Sequence, residues 1–164
     1  MPGRNILMCA LALLYSAVSL AQAGPKDYLS LTVSTAPNFA LNTASLLENA
    51  QTISNAFKLS IKTNRNGCHI YAAITAGITT TSVTPMATSN LLMQFNSTTC
   101  LSLLVGSYAT SQIPMATSNS LLFYALKDYG IGSDWYYDVD IPAIGYNYDP
   151  GTYNYIISFT MTQP

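Results

Sequence analysis

The sequence predicts an all-β protein, a single antiparallel β-sandwich of about seven to nine strands with one short helix near residues 44–52. Three observations lead there. Short runs in which apolar and polar residues alternate recur along the chain, separated by Gly, Pro, Asn and Asp turn residues. No helical pattern of crossover length lies between these runs. Charged residues make up only 8% of the chain, so polarity rests on Thr, Ser, Asn and Tyr. Two antiparallel sheets that cover one another's apolar faces are the natural way to bury such strands, and a closed barrel is the other.

The first segment, "MPGRNILMCALALLYSAVSLAQA", has one cation (Arg4), an apolar run from Ile6 to Val18 and a small-residue exit at Ala21-Gln22-Ala23. That is the three-part pattern of a secretory signal peptide over residues 1–23, cleaved before Gly24. The apolar run is shorter than the roughly 20 residues of a membrane span. Cys9 lacks the small residue that a lipid-attachment site has ahead of its cysteine, and leaves with the leader. Residues 24–164 then form one domain, secreted or held at the cell surface.

Leu29, Leu31 and Val33 alternate with Ser30, Thr32 and Ser34 in the first strand pattern, "DYLSLTVST". In "TASLLENAQTISNAF", Ser45 and Glu48 have capping-box spacing, and Leu46, Ala50, Ile53 and Phe57 fall near helical period. "FKLSIKT" alternates again, the "NRNG" turn follows, and "CHIYAAIT" reads as the returning strand of a hairpin. That strand sends Cys68, Ile70, Ala72 and Ile74 one way and His69 and Tyr71 the other. Further strands are predicted at "LLMQFN", "CLSLLVG", "SLLFYAL", "DWYYDVDI" and "YNYIISFTMT".

A repeat adds topology. "PMATSN" occurs at Pro85–Asn90 and again at Pro114–Asn119, each copy eight residues after a glycine (Gly77, Gly106) and each running into a strand pattern. A strand–loop–strand module used twice puts both loops at one end of the sandwich. Cys68 and Cys100, each opening a strand, then share the opposite end. In an oxidising compartment that pair reads as a disulfide, whose loop of about 33 residues contributes on the order of 3–4 kcal/mol in the chain-entropy model.

Catalysis has little to build on. His69 is the one histidine and no serine sits in a strand-elbow motif, so a serine nucleophile lacks a base. Glu48 is the one glutamate, and the aspartates fall where turns are expected. Asp134, Asp138 and Asp140 share one face of a strand without the glycine turn and terminal glutamate of an EF-hand loop, and read as a solvated edge rather than a metal site. Formal charge is −1, and −2 once Arg4 is lost, which gives nucleic acid no electrostatic footprint. The expectation is a non-enzymatic protein with no metal or cofactor. Aromatic residues gather late in the chain, and Trp135, Tyr137, Tyr146 and Tyr148 are the candidates for exposed rings that stack on a sugar.

The last segment, "DPGTYNYIISFTMTQP", has a Pro-Gly turn and then Tyr153, Tyr155, Ile157, Phe159 and Met161 on one face. Over these 16 or so residues the chain resembles the secreted pilin-like β-sandwiches of bacterial surfaces, including spore coat protein U-type and fimbrial subunits. The resemblance implies an immunoglobulin-like sandwich, no catalytic residues, and polymerisation in which an N-terminal strand completes a neighbour's sheet. Leu29, Leu31 and Val33 are the side chains such a donor strand would present; the other reading makes them the first strand of their own domain. The leading expectation is therefore a structural or adhesive subunit of a bacterial surface fibre, pilus or coat, with copies of itself or other subunits as partners. The alternative is a carbohydrate-binding module.

Overall fold

The computed structural model describes residues 27–33, 38–63, 66–79 and 86–163; the predicted leader lies outside them. Ten strands and one helix follow in order: β1 (Tyr28–Val33), β2 (Asn38–Leu41), α1 (Ala44–Glu48), β3 (Gln51–Lys62), β4 (Cys68–Thr79), β5 (Leu92–Thr98), β6 (Val105–Tyr108), β7 (Ile113–Pro114), β8 (Ser120–Ala125), β9 (Ser133–Ile141) and β10 (Gly151–Thr162). They form two five-stranded antiparallel sheets, β1-β3-β9-β5-β7 and β2-β10-β4-β8-β6, here sheets A and B. The all-β sandwich expected from alternation is what the chain builds.

The wiring differs from the expected hairpins. Odd-numbered strands all lie in sheet A and even-numbered strands all lie in sheet B. β3 and β4, expected as a hairpin about "NRNG", therefore lie in different sheets, and Asn64 and Arg65 of that segment lie outside the described residues. "CLSLLVG" is mostly a 3-10 turn, Ser102–Leu104, and only its last two residues enter β6. Helix α1 is capped by Thr43, whose Oγ1 accepts from Leu46 N at 3.3 Å, two residues ahead of the Ser45 cap that the spacing suggested. It stops at Glu48 because residues from Gln51 onward pair with β9.

Alternation sets the core. From sheet A, Phe57, Leu59, Ile61, Trp135, Tyr137 and Val139 point inward, and sheet B answers with Ile70, Ala72, Ile74, Phe123 and Tyr153. At the centre the rings of Trp135 and Phe123 stack at 3.9 Å and 9°. Full burial of such side chains contributes about 1.5–3 kcal/mol each.

Residues 86–90 of the first "PMATSN" segment and the whole of the second lie together at one end, as the repeat predicts, while Pro85 lies outside the described residues. Met115 N donates to Leu91 O at 2.9 Å and Ile74 N donates to Ala116 O at 2.8 Å. Met86 and Met115, equivalent in the repeat, are both buried. Each segment carries the chain between sheets, the first from β4 to β5 and the second from β7 to β8. Cys68 and Cys100 sit at the other end, beside the connections β5–β6 and β8–β9.

Candidate assembly edge

Strand edges are where a sandwich of this kind can bind another chain, because unpaired backbone N–H and C=O groups lie there. Three of the four outer strands are short. β7 has two residues and ends in Pro114, β2 has four, and β6 has four with a register shift at Gly106. β1 is different: six residues in regular ladder with β3, from Tyr28↔Lys62 to Val33↔Phe57, and not one charged side chain.

The last strand has a second open stretch. β2 pairs with Gly151–Asn154 of β10 and goes no further, so among the described residues Ile156–Thr162 has no strand on that side. This stretch is also uncharged. Its inward side chains, Ile157, Phe159 and Met161, are only half-buried against the core, with Phe159 edge-on to Phe57 at 5.3 Å.

In sheet A, β1 lies along the same side of the molecule. Asp27, just ahead of it, accepts a hydrogen bond from Gln163, just after β10. Leu29 and Leu31 pair with Ile61 and Leu59, so they take the inward face that the alternation predicts, and Val33 is in register with Phe57. Leu29 packs half-buried on the core, whereas Leu31 is 42% exposed; the side chain of Val33 is outside the described set. Leu31 faces inward yet stays exposed because, among the described residues, sheet B has no strand beyond β10 at that level. The result is a slot, floored by inward apolar side chains and bordered by a free backbone ladder. In this structure β1 belongs to its own sheet.

The predicted ring platform is a correction. Trp135 and Tyr137 are fully buried on the inner face of β9, and burial pushes the Tyr137 phenol well above its usual range. Trp135 Nε1 donates to Ser133 Oγ at 3.0 Å. Tyr148 is half-buried against the core. Of the four, Tyr146 alone is exposed, and its hydroxyl donates to Glu48 Oε1 at 2.7 Å. The rings that do line an outer face are His69, Tyr71 and Tyr124 on sheet B. His69 stacks on Tyr124 at 4.6 Å, and Tyr124 lies so close over Gly106 that a Cβ there would stand 2.4 Å from its Cδ1.

The acidic row is corrected in part. Asp134, Asp138 and Asp140 do share the outer face, but β9 is the central strand of sheet A, so they do not guard an edge. Each instead ties β9 to its neighbours. Asp134 pairs with Lys58 at 2.8 Å and accepts from Ser60 at 2.6 Å, which holds its carboxyl below the usual range. Asp138 accepts from Asn55 N at 2.7 Å and Asn96 Nδ2 at 2.8 Å. Asp140 accepts from Thr52 at 2.5 Å and Gln112 at 3.0 Å. Among the described residues no group of His, Cys, Asp or Glu has a metal-holding arrangement.

Cys68 and Cys100 differ from the predicted bridge: both are free thiols in the structure. Cys68 points into the core of sheet B opposite Ala125, while Cys100 Sγ donates to Leu101 O at 3.6 Å in the β5–β6 connection. Burial, then the charges of Asp128 and Asp27, push the Cys68 thiol up to about 12, with Cys100 close enough to add to the shift. Burial raises Cys100 as well. In the reduced protein at about pH 8, iodoacetamide is therefore expected to label Cys100 first and Cys68 only in denaturant. Peptide mass mapping checks it, and equal labelling of both in the native state would contradict the buried placement.

Comparison with known proteins adds no relative: no family model, no curated protein and no solved structure matches this chain, so its function is argued from its own residues.

Proposed function

We propose that this chain is an exported, non-enzymatic structural or adhesive subunit of a bacterial surface fibre, pilus or coat. It joins copies of itself or sister subunits by strand addition. The observation that carries the reading is the open stretch Ile156–Thr162 of β10, with Ile157, Phe159 and Met161 half-covered beside it. A seven-residue strand laid there would gain ladder hydrogen bonds and cover those side chains together with Leu31. The donor is β1 of a neighbouring copy: uncharged, alternating, and held in its own domain along one side only. The Pro150-Gly151 turn and alternating final strand, where the chain resembles pilin-like sandwiches, point the same way.

The test locks the donor. Ser30 and Ser60 are paired across β1 and β3, so S30C/S60C can be bridged without changing the register. The protein is concentrated, warmed and viewed by negative-stain electron microscopy. The wild type should form oligomers or filaments, the bridged variant should stay monomeric, and reductant should restore assembly. A wild type that is monomeric at every concentration ends the reading, and assembly by the bridged variant removes β1 as donor. Oxidation of Cys68 and Cys100 to a disulfide on export belongs to the same proposal, and is checked by a reductant-sensitive electrophoretic shift of the exported protein.

A further inference from the structure

The register of β2 on β10 points to an occupant for the open stretch Ile156–Thr162 within the same chain. Each step back along β2 is one step forward along β10, from Gly151↔Leu41 to Asn154↔Asn38. Continued one for one toward the N-terminus, that register sets Val33 opposite Phe159, Leu31 opposite Met161 and Leu29 opposite Gln163. Nothing in β10 interrupts the count. The irregularity between Asn154 and Ile156 gives its extra residue to β4, where three steps from Ile78 to Thr75 answer two steps of β10. The inward positions of β10 accordingly keep their alternation from Tyr153 to Met161.

Side chains of a strand alternate with period two, so a shift of one residue would turn the apolar set of β1 away from the core. β1 satisfies two homes at once. Beside β3, Leu29 and Leu31 face inward through the pairs Leu29↔Ile61 and Leu31↔Leu59. Beside β10, the same two residues fall on the inward face again, and Thr32 falls opposite Thr160 on the outer one. Two further observations favour the second home. The hydrogen bond from Gln163 to Asp27 already holds the start of β1 beside the end of β10 that this register assigns to it. The edges left behind also differ. β1 covers Phe57–Lys62 of β3, which carries Lys58 and Lys62, whereas Ile156–Thr162 carries no charge. Lysines on an edge strand deter pairing with other chains, so a move of β1 would bare the defended edge and cover the undefended one.

We propose that β1 moves from β3 to β10 as an in-line continuation of β2, with Leu31 against Met161, and so caps the assembly edge of its own subunit. The inference rests on the reading of that edge as a strand-accepting site and adds its control. A subunit's own β1 and a neighbour's β1 have one sequence and compete for one slot. The first is tethered to β2 by residues 34–37, and a short tether gives an effective concentration of about a millimolar. Self-capping therefore prevails in dilute protein, and strand addition prevails where copies are concentrated. The arrangement with β1 in sheet A is the form that leaves the slot open to a neighbour.

The test is a pair of cysteines that meet in the capped form alone. Thr32 and Thr160 are both exposed. They stand on the outer faces of opposite sheets, paired with Lys58 and Tyr71, and become direct partners in the proposed register. Sheets pack about 10 Å apart and a disulfide needs Cα atoms within about 7 Å, so the uncapped form cannot bridge them. The exported T32C/T160C protein is oxidised with copper phenanthroline in dilute solution, and the linkage is located by peptide mass mapping. An intramolecular bridge between positions 32 and 160 is expected, with a yield unchanged on about tenfold dilution. S30C/T162C, which tests the same register, should bridge as well, and each bridged protein should stay monomeric until it is reduced. All four side chains are exposed, so the reduced variants should melt with the wild type. Bridges that form only between molecules, and fall with dilution, overturn self-capping while supporting addition of a neighbour's strand. Absence of a bridge in both variants overturns it too. An intramolecular bridge in a protein that never assembles keeps the cap and ends the assembly reading, so the two failures are distinct.

Discussion

Replacing Trp135 with alanine is expected to lower stability by about 3–5 kcal/mol, the range for emptying a large aromatic site in a core. Trp135 has no solvent exposure, stacks on Phe123 at 3.9 Å, and touches Phe95 and Tyr108 at 5.9 and 6.1 Å. It therefore joins β9 and β5 of sheet A to β8 and β6 of sheet B. Small domains have about 5–15 kcal/mol in total, so the loss is about a fifth or more. It should appear as a fall of about 10–20 °C in melting temperature. Trp135→Phe keeps a ring for Phe123 and gives up the bond from Nε1 to Ser133 Oγ, so its cost should be about 1–2 kcal/mol. Urea unfolding of the three proteins makes the comparison. An alanine variant within 1 kcal/mol or so of wild type would mean that Trp135 lies on the surface.

The second large effect is expected at Asp128, the buried carboxylate of the β8–β9 connection. Its Oδ1 accepts from Thr63 N at 3.0 Å and Gly130 N at 2.8 Å, and its Oδ2 accepts from Gly132 N at 3.0 Å. Thr63 Oγ1 returns the contact by accepting from Asp128 N at 2.9 Å. Hydrogen bonds to a charged group contribute about 1.5–3 kcal/mol each, and donors left buried add a desolvation cost. Asp128→Ala should therefore lose at least about 3 kcal/mol. Asp128→Asn keeps the acceptor for two donors but turns an amide toward Gly132 N–H, so it should fall between alanine and wild type. Hydrogen exchange localises the effect: the Gly130 and Gly132 amides should lose protection in both variants. Unchanged protection there would show that the turn is held by something other than this carboxylate.

How much of this was legible in the sequence depends on how local the information is. The inward row of β10 could be read residue by residue, since Tyr153 to Met161 alternate without interruption and each does face the core or its rim. The same rule, applied to β9, places Asp134, Tyr136 and Asp138 outside and so puts Trp135 and Tyr137 inside. Their clustering with other aromatics was the weaker signal and pointed the wrong way. β2 and β7, four and two residues long, are too short to show a period. Turn residues mark where the chain reverses, but the same residues serve a hairpin and an arch between sheets, so "NRNG" could not say which sheet comes next. The open stretch of β10 is less local still. It exists because β2 stops pairing at Asn154, a contact between residues more than a hundred positions apart. Asp128 offered only a turn signal, and its role rests on Thr63 from another connection.

The alternation of strands between sheets also governs how the chain folds. Among the described residues no two strands consecutive in sequence are ladder partners, and even the nearest pair, β6 with β8, joins Tyr108 to Phe123. No hairpin can therefore form early and template the rest, and each first contact must close a loop whose entropy is not yet offset by burial. Chains dominated by such distant pairings fold in milliseconds to seconds rather than microseconds. Neither sheet is made of one contiguous stretch of chain. Refolding of this domain should be slow, and its unfolding should occur in a single step.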